Sequence, residues 1–445
     1  MPREFDAAKT GLTDMTLLLH FCRASTAIVL GALVLSTASA QEPSPAPAVE
    51  PAQAAAPEPQ NDPLARGKYL ATAGNCISCH TREGGAPFAG GVAFKTDFGT
   101  IYSTNITSDK TAGIGGWTQA QFTRAMREGI AANGEHLYPA FPYTAFTKVS
   151  DEDLGEIFAY IKSIPASDSK PPPNEMGFPF NQRSLMSVWN TLFFKPGVFT
   201  ADPKQSAAYN RGAYLVEGLG HCGACHSPRN FLGAEQSDQA MSGGVFNDKI
   251  PGGAVRRWSG VNLTSAESGL KLWTPEDIVA YLKTGHSNRS ASYGPMNDVI
   301  GNSTRHLSDD DLAAMATYIK ALAPIERSPK VALDDKTQRA GDTLYTIHCG
   351  TCHLPTGLGA TPGTELGAPL VGSAVAQAPD PASLINIILY GGQVLSPVPE
   401  KAWKSMKALS DNLSDEDVAA IASYVRANWG NRGGPVTAAQ VANQR

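Results

Sequence analysis

The apolar and polar positions of this 445-residue chain fall into a pattern that recurs three times. Each copy opens on a helix-like stretch carrying a Gly and an aromatic: Arg66-Gly67-Lys68-Tyr69-Leu70, Arg211-Gly212-Ala213-Tyr214-Leu215, and Gly341-Asp342-Thr343-Leu344-Tyr345. A long Gly- and Pro-rich middle follows. Each copy closes on Ser-Asp-acidic-Asp and an apolar helix, beginning at Ser150, Ser308 and Ser414 and running to Ile164, Leu322 and Asn428. The Ser is a natural N-cap, and the acidic first turn suits the positive end of the helix dipole. A Tyr stands ten positions after each Ser, at Tyr160, Tyr318 and Tyr424. The first and last helices of a copy are expected to cross, with Gly67, Gly212 or Gly341 permitting close approach to an aromatic. An internal repeat of this kind sets the architecture. It predicts units at 62–165, 204–325 and 336–430, followed by a tail at 431–445. No run of alternating strand pattern is seen, so the expected class is all-α with extensive loops.

Two stretches stand outside the repeat. The N-terminus reads as an export signal over 1–40. Arg23 is followed by an apolar run from Ile28 to Leu35 and the small-residue site Ala38-Ser39-Ala40. That run is short of the roughly 18 residues a membrane span needs. Residues 41–61, rich in Pro and Ala, cannot build a core and read as a flexible leader. The linker at 166–203 carries Phe178, Phe180, Leu185, Met186, Trp189, Leu192, Phe193, Phe194 and Phe199. It is either a segment packed onto its neighbours or a docking surface.

Composition narrows the function classes. Charged residues make up 17% and the net charge is −5, with Lys and Arg scattered, so nucleic acid is excluded as a partner. Of seven cysteines, Cys22 precedes the apolar run and leaves with the signal. The other six form three pairs inside the repeat: Cys76-Ile77-Ser78-Cys79-His80, Cys222-Gly223-Ala224-Cys225-His226 and Cys349-Gly350-Thr351-Cys352-His353. Two thiols three positions apart can each add to one vinyl group of a porphyrin. The next residue, His, then lies under the iron. The motif reads as c-type haem attachment, giving three haem c groups with His80, His226 and His353 as proximal ligands. Zinc would use three pairs unevenly. A thioredoxin-like pair needs no following His and expects a βαβ context.

Methionine as the sixth ligand raises the potential and closes the iron, which suits electron transfer. Met296, in Gly294-Pro295-Met296, is the candidate in the second unit, and Met406 in the third. The first unit reads Tyr138-Pro139-Ala140-Phe141-Pro142-Tyr143, and Phe cannot ligate iron. His136 is the nearest candidate there, with Met126 and Met176 further off. An open iron would instead allow a peroxidase. His221 and His348, each just before an attachment cysteine, are expected to bond locally.

These motifs resemble the three-haem cytochrome c subunits of bacterial membrane-associated periplasmic dehydrogenases. The likeness is carried by Gly220 to Arg229, the Tyr138–Tyr143 loop, the Phe178–Phe194 linker and Trp429-Gly430-Asn431. It implies class I cytochrome c domains in tandem. It also implies a chain that passes electrons from a catalytic dehydrogenase subunit to ubiquinone or another acceptor, in the periplasm and peripheral to the membrane. Phe141 and Arg229-Asn230-Phe231-Leu232-Gly233-Ala234-Glu235 look more like cytochromes serving molybdenum hydroxylases or aldehyde dehydrogenase. Those enzymes bring a small iron–sulfur subunit. The alternatives are quinoprotein alcohol dehydrogenase and flavin-dependent gluconate, sorbitol or fructose dehydrogenase.

Overall fold

The computed structural model describes residues 62–445, apart from 250–254, 329, 365, 393–394 and 398–401. The export signal and leader expected at the N-terminus lie outside the described residues.

Each repeat places an opening helix across a closing helix. The pairs are Pro63–Ala73 with Asp151–Ser163, Ala207–Ala213 with Asp309–Ala321, and Asp335–His348 with Asp415–Ala427. Ser150, Ser308 and Ser414 each accept the backbone N–H three residues on, as N-caps do. The crossings depend on glycine. A Cβ on Gly67 would stand 2.1 Å from the Glu156 carbonyl oxygen, and one on Gly212 would stand 2.0 Å from that of Ala314. A Cβ on Gly341 would meet the Cβ of Tyr424 at 2.5 Å. Tyr160 and Tyr318 sit at the other two crossings, so the ten-residue spacing from Ser to Tyr brings each aromatic against its glycine.

A middle helix precedes each closing helix: Gln119–Glu128, Pro275–Thr284 and Ala382–Tyr390. The first two start from a Thr capping box, at Thr118 and Thr274, and end on a left-handed glycine, Gly129 and Gly285.

The all-α expectation is corrected by two small antiparallel sheets. In one, Ala93–Thr96 pairs with Gly99–Tyr102, whose far edge takes Glu175–Met176 from the linker. In the other, Gly244–Lys249 pairs with Val255–Gly260. These strands are short and rich in Gly, Lys, Arg and Asp, so they carry no apolar alternation to read. Both follow a C-x-x-C-H group, and the second folds back over its own, with Gly244 and Gly260 against Cys225.

The apolar interior forms two bodies. Leu70, Leu154, Ile157, Leu215, Leu219 and Leu312 belong to one core that runs through the first and second repeats. The third repeat has its own core, around Tyr345, Ile385, Leu389, Val418 and Ile421.

The first two repeats exchange side chains reciprocally. Tyr69 Oη donates to Asp311 at 2.6 Å and accepts the Ser308 N–H at 3.1 Å. Tyr214 Oη donates to Asp153 and accepts the Ser150 N–H at 3.2 Å. Arg66 and Arg211 hold the same two carboxylates from their own repeats, at 2.6 and 2.7 Å. Equivalent residues thus contact each other in both directions, as across a two-fold axis.

The linker packs by its inner edge. Trp189 Nε1 donates to the Leu232 carbonyl at 3.0 Å, Tyr143 Oη donates to Asn190 at 2.6 Å, and Phe180 lies 4.7 Å from Phe98. Phe178, Val188 and Leu192 face outward.

Candidate functional site

Each C-x-x-C-H group forms a single helical turn at the end of the opening helix or just beyond it. Positions i and i+3 of a helix share a face, so both thiols of a pair point the same way. The following His is then fixed by a carbonyl from the loop beneath. His80 Nδ1 bonds to Thr104 O at 2.7 Å, His226 to Val261 O at 2.8 Å, and His353 to Ala368 O at 2.8 Å. With Nδ1–H donating, Nε2 keeps its lone pair for a metal, an arrangement that orients ligating histidines generally. Burial lowers the pKa of all three imidazoles and favours the neutral form that ligation needs.

Burial has the opposite effect on the thiols. Cys76, Cys222 and Cys225 are pushed up to about 12, and Cys79 and Cys349 to about 11. Burial thus favours the protonated form of each of these thiols. Among the described residues, no three His, Cys, Asp or Glu side chains converge on one point.

The second repeat shows the site most completely. Cys222, Cys225 and His226 line a cavity whose other walls include Met296 and Tyr281. Met296 therefore shares one void with the expected proximal His. Trp258 also lines this cavity, and its Nε1 is buried with no hydrogen-bond partner among the described residues. A buried donor facing a void fits an acidic substituent of a bound group, since leaving it unmade costs about 1–3 kcal/mol. The residues present therefore fit a haem c: two thiols on one face, a neutral imidazole, a thioether and an indole donor. Ala73 and Asn75 of the first repeat and Pro369 and Val371 to Val375 of the third complete the wall.

In the third repeat the His353 ring lies against Gly367, where a Cβ would come within 2.6 Å of it. Met406 is half-buried against the core that holds Cys349, and its carbonyl accepts the Gly392 N–H at 3.1 Å. In the first repeat, Phe141 packs on Phe146 at 5.5 Å and against the core that includes Cys76 and Ile77. His136 pairs with Ile130 in a short bridge, and its carbonyl accepts from Arg183 at 2.8 Å.

The expectation that His221 bonds locally is corrected. Its Nε2 lies 3.4 Å from Gly74 O in the first repeat, and its ring stands edge-on to Phe146 at 5.4 Å. The first and second attachment groups are accordingly neighbours. Asn302 donates to Ser78 at 2.9 Å, Ser303 donates to Ala73 O at 3.2 Å, and Cys79 contributes to the shift of Cys225. Sequence reading also misses Trp258, because it stands in a hairpin strand too polar to recognise.

Helix pairs that carry C-x-x-C-H groups beneath carbonyl-fixed histidines define a c-type cytochrome, and its cofactor is haem c. Family comparison agrees at both ends of the chain. Residues 64–165 match the model described as Cytochrome c, and residues 336–425 match Cytochrome C oxidase, cbb3-type, subunit III. The chain is 38% identical to the gluconate 2-dehydrogenase cytochrome c subunit of Pantoea cypripedii, over 86% of its own length and 90% of the relative's. It is 35% identical to the cytochrome c subunit of the quinone alcohol dehydrogenase of Gluconobacter oxydans, over 86% and 82%. It is also 38% identical to one of the subunits of the nicotinate dehydrogenase of Pseudomonas putida, over 82% of its length, which is 30% of that longer relative. The chain belongs to the family of dehydrogenase cytochrome c subunits.

Proposed function

We propose that the chain is the electron-transfer subunit of a periplasmic, membrane-associated dehydrogenase, built from three tandem cytochrome c domains with three covalent haems. Cys76 and Cys79, Cys222 and Cys225, and Cys349 and Cys352 attach the haems. His80, His226 and His353 are the proximal ligands, and Met296 and Met406 close the second and third irons. The carrying observation is the second cavity, where both thiols, His226, Met296 and the unpartnered Trp258 donor share one void. Haem supplies one-electron chemistry. The protein excludes water, fixes the ligands and sets each potential.

Electrons pass from a catalytic subunit to ubiquinone or another respiratory acceptor. A molybdenum-dependent hydroxylase or aldehyde dehydrogenase with a small iron–sulfur subunit is the partner we favour. Phe141 and the Arg229–Glu235 stretch support it. The name of one relative also supports it, since nicotinate is an N-heterocycle. Among the described residues no helix is long and apolar enough to cross a membrane. Attachment at the outer face of the cytoplasmic membrane is therefore peripheral in this reading.

Two measurements test it. Matured in a host that attaches haem c, the chain should carry three haems by mass and by haemochrome spectrum, and Cys225→Ala should lower the count. Purified from native membrane in mild detergent, it should bring a molybdopterin subunit and an iron–sulfur protein. A quinoprotein or flavoprotein in their place would overturn the partner, and isolation alone would overturn the fixed-subunit reading.

A further inference from the structure

The first and second repeats can be placed in register residue by residue. Their middle helices are both ten residues long, each between a Thr capping box and a left-handed glycine. Counting back three from Gly129 gives Met126, and counting back three from Gly285 gives Leu282. The inward face of the second helix is Ile278, Tyr281 and Leu282, and all three line the cavity that holds His226 and Met296. The same positions of the first helix are Phe122, Ala125 and Met126, all buried.

The loops that follow also align. Each begins with a bridge, Ile130 to His136 in one and His286 to Ala291 in the other. Five residues beyond the bridge stand Phe141 and Met296. His136 therefore takes the position of Ala291. The cavity is lined by Ser290 and Tyr293 on either side of Ala291, but not by Ala291 itself. In this register His136 holds a position that the lining of the second cavity skips, and its ring Nδ1 is buried with no hydrogen-bond partner among the described residues. The register places Met126 at the position that Leu282 holds on the cavity wall of the second repeat.

Resting on the haem reading of Cys76, Cys79 and His80, we propose that Met126 is the sixth ligand of the first haem. The thioether has moved from loop to helix. Phe141 fills the space left in the loop, and Ala125, in the place of Tyr281, leaves room beside the longer side chain. Methionine is unbranched with three rotatable bonds, so it reaches further from the helix than the leucine of the second repeat. In the third repeat the same helix position is Ile388, and the methionine is back in the loop, at Met406. Only the repeat without a loop methionine carries one on the helix.

The test uses the full chain carrying its haems. Ferric methionine-ligated haem shows a long-wavelength sulfur-to-iron charge-transfer band, and ferrous haem with a firmly held sixth ligand does not take carbon monoxide. Met126→Leu restores the residue type of the second repeat and should preserve the fold. It should make one haem reactive to carbon monoxide and remove roughly a third of the band, since each closed iron contributes alike. Adding Phe141→Met to that variant should restore both. His136→Ala should change neither. Met126→Leu with band and reactivity unaltered, His136→Ala opening a haem, or a wild-type first haem that already binds carbon monoxide would each overturn the assignment while leaving three haems attached. Loss of the first haem from the wild-type chain would instead bring down the reading of its attachment group, and this assignment with it.

Discussion

The junction between the first and second repeats and the junction between the second and third are built from different materials. The first is one apolar core stitched by a reciprocal exchange of Tyr69, Tyr214, Asp153 and Asp311. The second adds polar bonds to a few apolar contacts such as Ala374. Ser259 and Ser383 bond to each other's backbone at 2.9 and 3.2 Å, Asn386 donates to Arg257 O at 2.8 Å, and Arg257 meets Asp380 at 2.8 Å. The third repeat could not join a reciprocal exchange. Thr343 stands where the others have Tyr, Ala340 where they have Arg, and Thr343 is exposed. The repeats therefore associate as a tight pair with a third member attached through hydrogen bonds, a wetter contact of the kind found between domains.

That contrast is open to direct attack. Gly212→Val should have the largest effect, because the new side chain has nowhere to go. A loss of roughly 4 kcal/mol, or failure to fold, is expected, read by thermal unfolding. The same substitution at exposed Gly177, where a Cβ meets nothing within 4 Å among the described residues, should be tolerated.

Asp153→Ala comes next. It removes one of the two carboxylates that hold Arg66, leaving Glu156, and takes the acceptor from the Tyr214 hydroxyl, so roughly 2 kcal/mol should be lost by denaturant titration. A loss below about 1 kcal/mol would mean that the exchange is ornamental and the apolar core alone holds the pair.

The third prediction concerns alkali. Burial, and then the Asp311 hydrogen bond, push the Tyr69 hydroxyl up to about 12, and burial raises Tyr214 in the same direction. A raised folded-state pKa means that the neutral form is the one stabilised. Its contribution is fully present below the ordinary value of about 10 and fades as pH climbs through about 12. Tyr69→Phe with Tyr214→Phe should flatten the fall in stability across that window. A fall of unchanged steepness would remove these tyrosines from the account.

Ser383→Ala should have the smallest effect, about 1 kcal/mol, and it should be confined to the second junction. Limited proteolysis should then release the third repeat sooner while the first two stay together. Equal loosening of both junctions would contradict the division into a pair and a single.

What is legible in the sequence follows from the range of the forces involved. The closing helices are plain because Ser-Asp-acidic-Asp is a local signal, and the glycine crossings because they recur at a fixed spacing. The C-x-x-C-H turns, and the Met296 that shares a cavity with one of them, are plain because a motif and a loop position carry them. The hairpins are hidden, since strands of four to six mixed residues pair through backbone atoms that any side chain supplies. The bond from His221 to Gly74 and the Tyr–Asp exchange are hidden because each joins partners far apart in the chain. Met126 is visible in the sequence, but it resembles an ordinary core methionine until the two middle helices are laid in register.

The second cavity has one more implication. Its walls come from Ala73 and Asn75, from Trp258 and Met296, and from Pro369 and Val371 to Val375. A flat, rigid disc cannot slip into a cleft after three separate stretches of chain have shut around it. On the proposed haem reading, loading comes before closing, and a group held at Cys222 and Cys225 would act as a keystone during biogenesis. A chain made where no haem is attached should yield to protease in all three repeats at once, the mark of an arch that was never closed.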